Sequence, residues 1–324
     1  MTSKLDRISE LTSLVVGDVM IDAYLWGNVE RQSPEAPVPV VLKTGKDSRI
    51  GGAGNVARNV IAMGAKVHLA SVIGNDISGK YLHQLLEEKG IGTSTVISEN
   101  ARTTTVKTRI IKGTEHMLRV DEETTSPISE ESLEELKSSI TRLVDSQKID
   151  VVIIEDYDKG VMRSDLIDFI LDIASSKGIV VSVDPKLQNF KAYKGVDLFK
   201  PNLKELREGL NLEINPESSE ELKQAVETLH SEIAPKISLT TLGGHGMWLH
   251  SETNPHHHEV GISRDVVDVS GAGDTVIAVA SLMLASGASH EEIVKAANIA
   301  GGQVCEKSGV VMVNVDELAA EFES

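Results

Sequence analysis

The stretch Asp268-Val-Ser-Gly-Ala-Gly-Asp-Thr275 sets two carboxylates and two hydroxyls around a Gly-Ala-Gly turn. It joins Arg264–Val267, which reads as extended, to Val276–Ala285, whose apolar mix suits a buried helix. Where a strand turns into a helix through glycines, several N–H groups face outward with no intrahelical partner, at the positive end of the helix dipole. Such a turn can hold an anion on the amides of Gly271, Ala272 and Gly273. Asp274, in the first helical turn, would then stand where a general base takes the proton of an attacking hydroxyl, which is phosphoryl-transfer chemistry. The same residues equally fit a plain helix start, with Ser270 or Asp268 as the cap and Asp274 favouring the helix N-terminus.

Other candidates fall where an open α/β sheet gathers ligands, at the carboxyl ends of its strands. Leu14-Val-Val-Gly-Asp18 reads as a buried strand ending in a carboxylate, so Asp18 and nearby Asp22 are candidates for sugar hydroxyls; a surface Asp fits Asp22 as well. Gly51-Gly-Ala-Gly-Asn55 opens a helix predicted over 56–63, and its glycines let the backbone and Asn55 approach a ligand closely. Gly52–Ala57 formally matches the dinucleotide fingerprint, but the polar run 43–49 reads as a loop where that fingerprint needs a buried strand. Asp156, Asp184 and Lys186 also stand at strand ends. Asn202 and Glu205 share a face at a helix start; they could orient water around a metal or form a simple capping box. Thr240, Thr241, Gly243 and Gly246 border a strand end that could line a nucleotide site, and Asn298 lies on a late helix.

The elements that must hold these residues are partly regular. From Pro127 onward, helices alternate with short apolar strands, which is the pattern of a mostly parallel sheet covered by helices. Residues 23–49 break that pattern, as do 102–111 and 116–121, and together these read as a small sheet, a lid from about 20–48 and 101–121, over the site. Arg102, Lys107, Arg109 and Arg119 give the lid hairpin local basicity. It suits either a substrate phosphate or a solvated edge.

Composition narrows the class. A formal charge of −17 disfavours nucleic acid or an anionic membrane as the main partner. Cys305 is the only cysteine and reads as a packed thiol, so a disulfide framework is excluded and a reducing, cytoplasmic setting fits. The first ten residues read as a polar helix opening rather than a signal peptide, and no apolar run approaches membrane-spanning length. His256-His-His258 follows Pro255 and reads as surface, without zinc-ligand spacing. No composition break divides residues 1–324, which are expected to form one domain.

Taken together, Gly51-Gly-Ala-Gly-Asn55, Asn202-x-x-Glu205 and Asp268-x-x-Gly-Ala-Gly-Asp274 resemble, in that order, the hallmark motifs of the ribokinase family of ATP-dependent sugar kinases. The resemblance spans nearly the whole chain and implies a three-layer α/β fold with a β lid. Gly17–Asp22, Ser33–Val40, Asp184-Pro-Lys186 and Gly273–Ile277 are similar to the heptose-7-phosphate kinase branch, with Ser270 where Thr is expected. The His-x-Gly-His signature of the adenylyltransferase half found in bifunctional members is absent from this sequence. By that resemblance ATP phosphorylates the anomeric hydroxyl of heptose 7-phosphate, in the route to lipopolysaccharide heptose. Asp274 is then the base and Gly271, Ala272 and Gly273 hold the transferring phosphoryl. Asp18, Asp22, Gly52 and Asn55 bind the sugar, and Lys107, Arg109 and Lys186 its 7-phosphate. Asn202, Thr240, Gly243, Gly246 and Asn298 bind the nucleotide, Glu205 reaches Mg²⁺ through water, and the lid pairs two copies as a homodimer. Two other readings stay open: a different ribokinase-type enzyme, such as a phosphofructokinase-like or nucleoside kinase, and a catalytically silent sugar-binding regulator.

Overall fold

A computed structural model describes residues 4–113 and 115–323. The polar N-terminal opening forms α1 (Lys4–Ile8), its first three residues lying outside the described ones, and leads into β1 (Thr12–Gly17). Two long strands follow, β2 (Val19–Gln32) and β3 (Pro39–Gly52), then α2 (Ala53–Ala62), β4 (Lys66–Gly74), α3 (Ile77–Glu88) and β5 (Gly92–Glu99). The hairpin is β6 (Val106–Lys112) and β7 (Glu115–Glu122), with Thr114 of its expected turn outside the described residues. Helices and strands then alternate: α4 (Glu130–Ser146), β8 (Val151–Glu155), α5 (Ser164–Lys177), β9 (Val180–Asp184), β10 (Leu198–Phe199), α6 (Leu203–Leu210), α7 (Ser219–Ile233) and β11 (Ile237–Thr241). The chain closes with β12 (Met247–Ser251), β13 (His257–Glu259), α8 (Ala272–Ala285), α9 (His290–Cys305) and α10 (Val315–Glu323).

Nine strands build the main sheet, in the order β13-β12-β11-β10-β9-β8-β1-β4-β5. It is parallel from β11 to β5 and antiparallel only at the β12 and β13 edge. The two-residue alternation of a strand sends Val15 to one face, into a core with α2, α8 and α9. Leu14 and Val16 go to the other, against α4, α5, α6 and α7. After β1 the chain builds outward to β4 and β5 on one side, and later to β8, β9 and β10 on the other. The carboxyl ends of β1 and β8 therefore flank a topological switch point, where open sheets leave a crevice.

A second, four-stranded sheet, β3-β2-β6-β7, rises from that crevice. It corrects the reading of 43–49 as a loop: Arg49, Ser48 and Asp47 pair with Asp22, Ala23 and Tyr24. A strand does precede Gly51, but it pairs antiparallel with β2 in this second, mixed sheet and does not belong to the parallel one a dinucleotide site requires. Being polar on both faces, it carries no alternation to read. Helix α2 begins at Ala53, three residues ahead of the expected 56, because Ala53 N–H already bonds the Asp18 carbonyl at 3.0 Å.

Arg264–Val267 forms no strand. Val267 and Asp268 both donate to the Cys305 carbonyl, which pins the segment to the end of α9, and Val266 and Val267 stay exposed. His257 and His258 enter β13 rather than a loop, and β5 and α10 form where no element was expected. Among the described residues, no helix is long and apolar enough to cross a membrane.

Candidate active site

Helix α8 fixes the base. From Val276 to Met283 every residue is buried, and each large apolar side chain placed there stabilises by roughly 1.5–3 kcal/mol. The helix N-terminus is thereby held at the crevice. Its cap residue, Gly271, has φ +79°, and no side chain caps the first turn. Asp268 accepts instead from Ser270 N–H at 2.9 Å and from Gly309 N–H at 2.8 Å. The plain capped-helix reading is therefore not what forms. A Cβ at Gly271 would lie 2.8 Å from Asn55 Nδ2, so the turn has to be glycine for α2 to approach. The Ala272 N–H departs from expectation, because it closes the turn onto the Val269 carbonyl at 3.3 Å. The amides of Gly271 and Gly273 are the ones left to face an anion.

Asp274 is 4% exposed. Its Oδ2 accepts from Asn55 Nδ2 and its Oδ1 from the Tyr157 hydroxyl, both at 2.8 Å. Burial lifts its proton affinity above the ordinary carboxylate value; the Asn55 and Tyr157 donors pull it back, and Asp184 and Asp22 push it up again. Such a carboxylate is oriented by neighbours and strengthened as a base. Among the described residues Asn55 Oδ1 is buried without a partner, an open acceptor beside that base.

Asp22, a candidate for sugar hydroxyls or a surface Asp by sequence, is 4% exposed and ion-paired with Arg109. That pair lies within the second sheet, where Asp22 aligns with Lys107 and Arg109 sits two residues further along β6. Tyr24 takes Arg49 and Arg109 against its ring, at 4.8 and 5.5 Å from the centroid. Lys107 Nζ lies 5.7 Å from the Tyr157 ring centroid and Lys186 Nζ 5.2 Å, so two of the three expected phosphate contacts flank one tyrosine. Arg102, by contrast, is buried and donates to the carbonyls of Lys159 and Ser126, which makes it part of the scaffold.

Asp18 is held by backbone donors. Its carboxylate accepts from the backbone N–H groups of Tyr157, Lys159 and Val161 at 2.8, 3.2 and 3.1 Å. Burial, then Asp156, raises its proton affinity to about 6, against those three donors. These contacts make it an anchor for the loop after β8. Gly52, at φ +57°, packs its α-carbon against the Asp18 carbonyl, so the two motifs meet through backbone.

Asn202 and Glu205 form the capping box foreseen as their simpler role: Glu205 N–H donates to Asn202 Oδ1 at 2.9 Å and Asn202 N–H to Glu205 Oε2 at 2.8 Å. Lys186 pairs with the other oxygen of Glu205 and lies 3.8 Å from Asp184. Among the described residues, no group of three His, Cys, Asp or Glu side chains is arranged to hold a metal. Both Glu205 oxygens are thus engaged within the chain, one by the Asn202 N–H and one by Lys186. Behind the glycine turn, Lys200 Nζ lies 2.8 Å from Asp184 Oδ2, and the two side chains are 2% and 5% exposed.

A cavity of about 240 Å³ runs from Ala272 and Gly273 to Thr241, Gly243, Gly246 and Asn298. Thr240 does not border it. It is wholly buried, with Oγ1 unpaired, and strand alternation gives Thr241 the cavity position. Cys305 lines the same cavity, and burial, then Asp268, raises the proton affinity of its thiol, which leaves it a poor nucleophile. Tyr157 and Lys200 had not been singled out from sequence. Lys200 directly follows β10, and Tyr157 follows Asp156, one of the strand-end carboxylates the sequence marks.

The pfkB family carbohydrate kinase profile matches residues 11–316. The chain is similar to the bifunctional protein HldE of Syntrophotalea carbinolica, at 39% identity over 314 residues, and to that of Desulfatibacillum aliphaticivorans, at 42% over 312. These matches cover 97% and 96% of this chain but 63% of each relative, so the chain spans just under two thirds of their length. Among solved structures, phosphofructokinase-2 from Escherichia coli in complex with potassium aligns with a TM-score of 0.80 at 19% identity, covering 97% of this chain and 98% of that one. Ribokinase from Arabidopsis thaliana complexed with ribose and ATP aligns at 0.73 with 18% identity, covering 97% and 99%. At those identities the structural likeness concerns the fold.

Proposed function

Because the chain belongs to the pfkB family of carbohydrate kinases, we propose that it transfers the γ-phosphoryl group of ATP to the anomeric hydroxyl of heptose 7-phosphate. The observation that carries the reading is Asp274, held by two donors beside an uncapped helix N-terminus that opens into a cavity. Asp274 takes the proton of the sugar hydroxyl as its oxygen attacks phosphorus, the bond to the leaving phosphate breaks, and the amides of Gly271 and Gly273 face the charge on the transferring group. Glu205 would reach a phosphate-bound Mg²⁺ through water, and that ion would supply further charge neutralisation. ATP occupies the cavity between Gly243, Gly246 and Asn298, with Asn202 supporting its border through the bridge to Thr241.

The sugar narrows to a phosphorylated heptose on two grounds: the resemblance of Gly17–Asp22 and Asp184–Lys186 to that branch, and the cations Lys107, Arg109 and Lys186 around the acceptor side. With Arg109 paired to Asp22 and Lys186 to Glu205, Lys107 is the freest of the three to meet a 7-phosphate. The intact base argues against a silent sugar-binding regulator. The second sheet acts as the lid, and one of its faces exposes Leu118 and Val120 in register with Ile110 and Thr108. A second copy of the chain covers that face, giving a homodimer in the cytoplasm with no nucleic-acid or membrane partner. The chain's substrate choice is read from kcat/KM across heptose 7-phosphate, unphosphorylated heptose, ribose, fructose and fructose 6-phosphate. Heptose 7-phosphate should lead the panel; an unphosphorylated sugar in first place would move the chain to another branch of the family.

A further inference from the structure

The base has a second holder that the phosphoryl-transfer reading does not require. Tyr157 lies 117 residues before Asp274 in the chain, yet its hydroxyl donates to Asp274 Oδ1 at 2.8 Å. Resting on the proposed function, we infer that Tyr157 is a positioning residue for the base: its hydroxyl fixes Oδ1 while Asn55 fixes Oδ2, leaving the carboxylate one orientation toward the glycine turn.

The surroundings of Tyr157 are built for that task. Asp18 holds the loop after β8 by three backbone N–H groups, beginning with that of Tyr157 itself. Asp158, the next residue, is in the left-handed region at φ +53°, a costly conformation that persists where its surroundings dictate it. Asp156 Oδ1 accepts its N–H at 2.9 Å, and Arg102 donates to the Lys159 carbonyl at 2.9 Å. The ring is flanked by Lys107 from the second sheet and Lys186 from the main one. A shift of the second sheet therefore reaches the base through one side chain. Burial, then Asp274 and Glu155, holds the phenol proton well above its usual release, so Tyr157 remains a donor throughout the working range.

The test is Tyr157→Phe in the full chain, assayed with ATP and the sugar phosphate that leads the substrate panel. The ring and its packing remain; one donor goes. The expected result is a fall in kcat of about 10-fold, with KM for the sugar unchanged. Turnover needs ionised Asp274, and loss of a donor raises its proton affinity, so the acidic limb of kcat should move to higher pH. Asp22 from β2, Asn55 from α2, Glu155 and Asp184 from the ends of β8 and β9, and Lys200 also face this carboxylate and are unchanged in the variant. Asp18→Asn, which loosens the loop but keeps the tyrosine, should move the limb in the same direction.

A wild-type kcat and limb in Tyr157→Phe overturn the inference. So does a raised KM at full kcat, which would make Tyr157 a sugar contact. Asp274→Asn measured alongside separates the two claims. If it is inactive while Tyr157→Phe is unchanged, only the positioning role fails; if it is active, the base assignment itself fails.

Discussion

Asp274→Asn should leave a folded protein that binds both substrates and turns over about 10²–10⁴ times more slowly. The replacement is isosteric. The introduced carbonyl can still accept from Asn55 Nδ2, and the introduced amide can donate to the Tyr157 oxygen, so both present contacts find a partner. What disappears is the lone pair that takes the sugar proton. Since Asp274 is buried beside Asp184, Asp22 and Glu155, removing its charge relieves repulsion, and the unfolding midpoint should hold or rise. Steady-state kinetics with a melting curve check this: a near-normal kcat contradicts the assignment, and a lost fold contradicts the isosteric argument.

The largest expected effect on stability belongs to Lys200→Met. Burial opposes the charge on Lys200, but Asp184 and Glu205 outweigh it and keep the ammonium protonated. Without it, Asp184 is left in a buried acidic group with Glu155, whose two oxygens have no hydrogen-bond partner. Breaking a buried pair from one side typically costs about 3–5 kcal/mol, and Lys186, at 3.8 Å from Asp184, should hold the loss to the lower part of that range. Urea unfolding should show a lower midpoint at an unchanged slope. The double variant Lys200→Met with Asp184→Leu should recover most of the loss. A single variant as stable as wild type would mean the pair is hydrated rather than buried.

The parts of the site legible in sequence are those where backbone geometry leaves few residue choices. Gly271 has to admit Asn55, and Gly52 has to turn against the Asp18 carbonyl, so both motifs stand out as glycines at fixed distances from Asn55 and Asp274. The alternating helices and strands after Pro127 were legible for a similar reason, since buried parallel strands are apolar throughout. Side-chain partnership across the switch point was not. Asp18 follows a buried strand as a ligand would, and only the adjacency of β1 and β8 shows its carboxylate engaged by the 157–161 backbone. Tyr157 depends on the same adjacency. Residues 43–49 hid a strand because polar residues on both faces leave no period, and the parity that sends Thr241 but not Thr240 to the cavity is not written in two identical residues.

The most direct test of the whole account is the identity of the product. The purified chain, given ATP, Mg²⁺ and heptose 7-phosphate, is followed by phosphorus NMR. The account predicts ADP formation only when the sugar phosphate is present, with one new phosphate on the anomeric carbon and the 7-phosphate retained. ADP released without sugar, or a new phosphate on any other carbon, would contradict it.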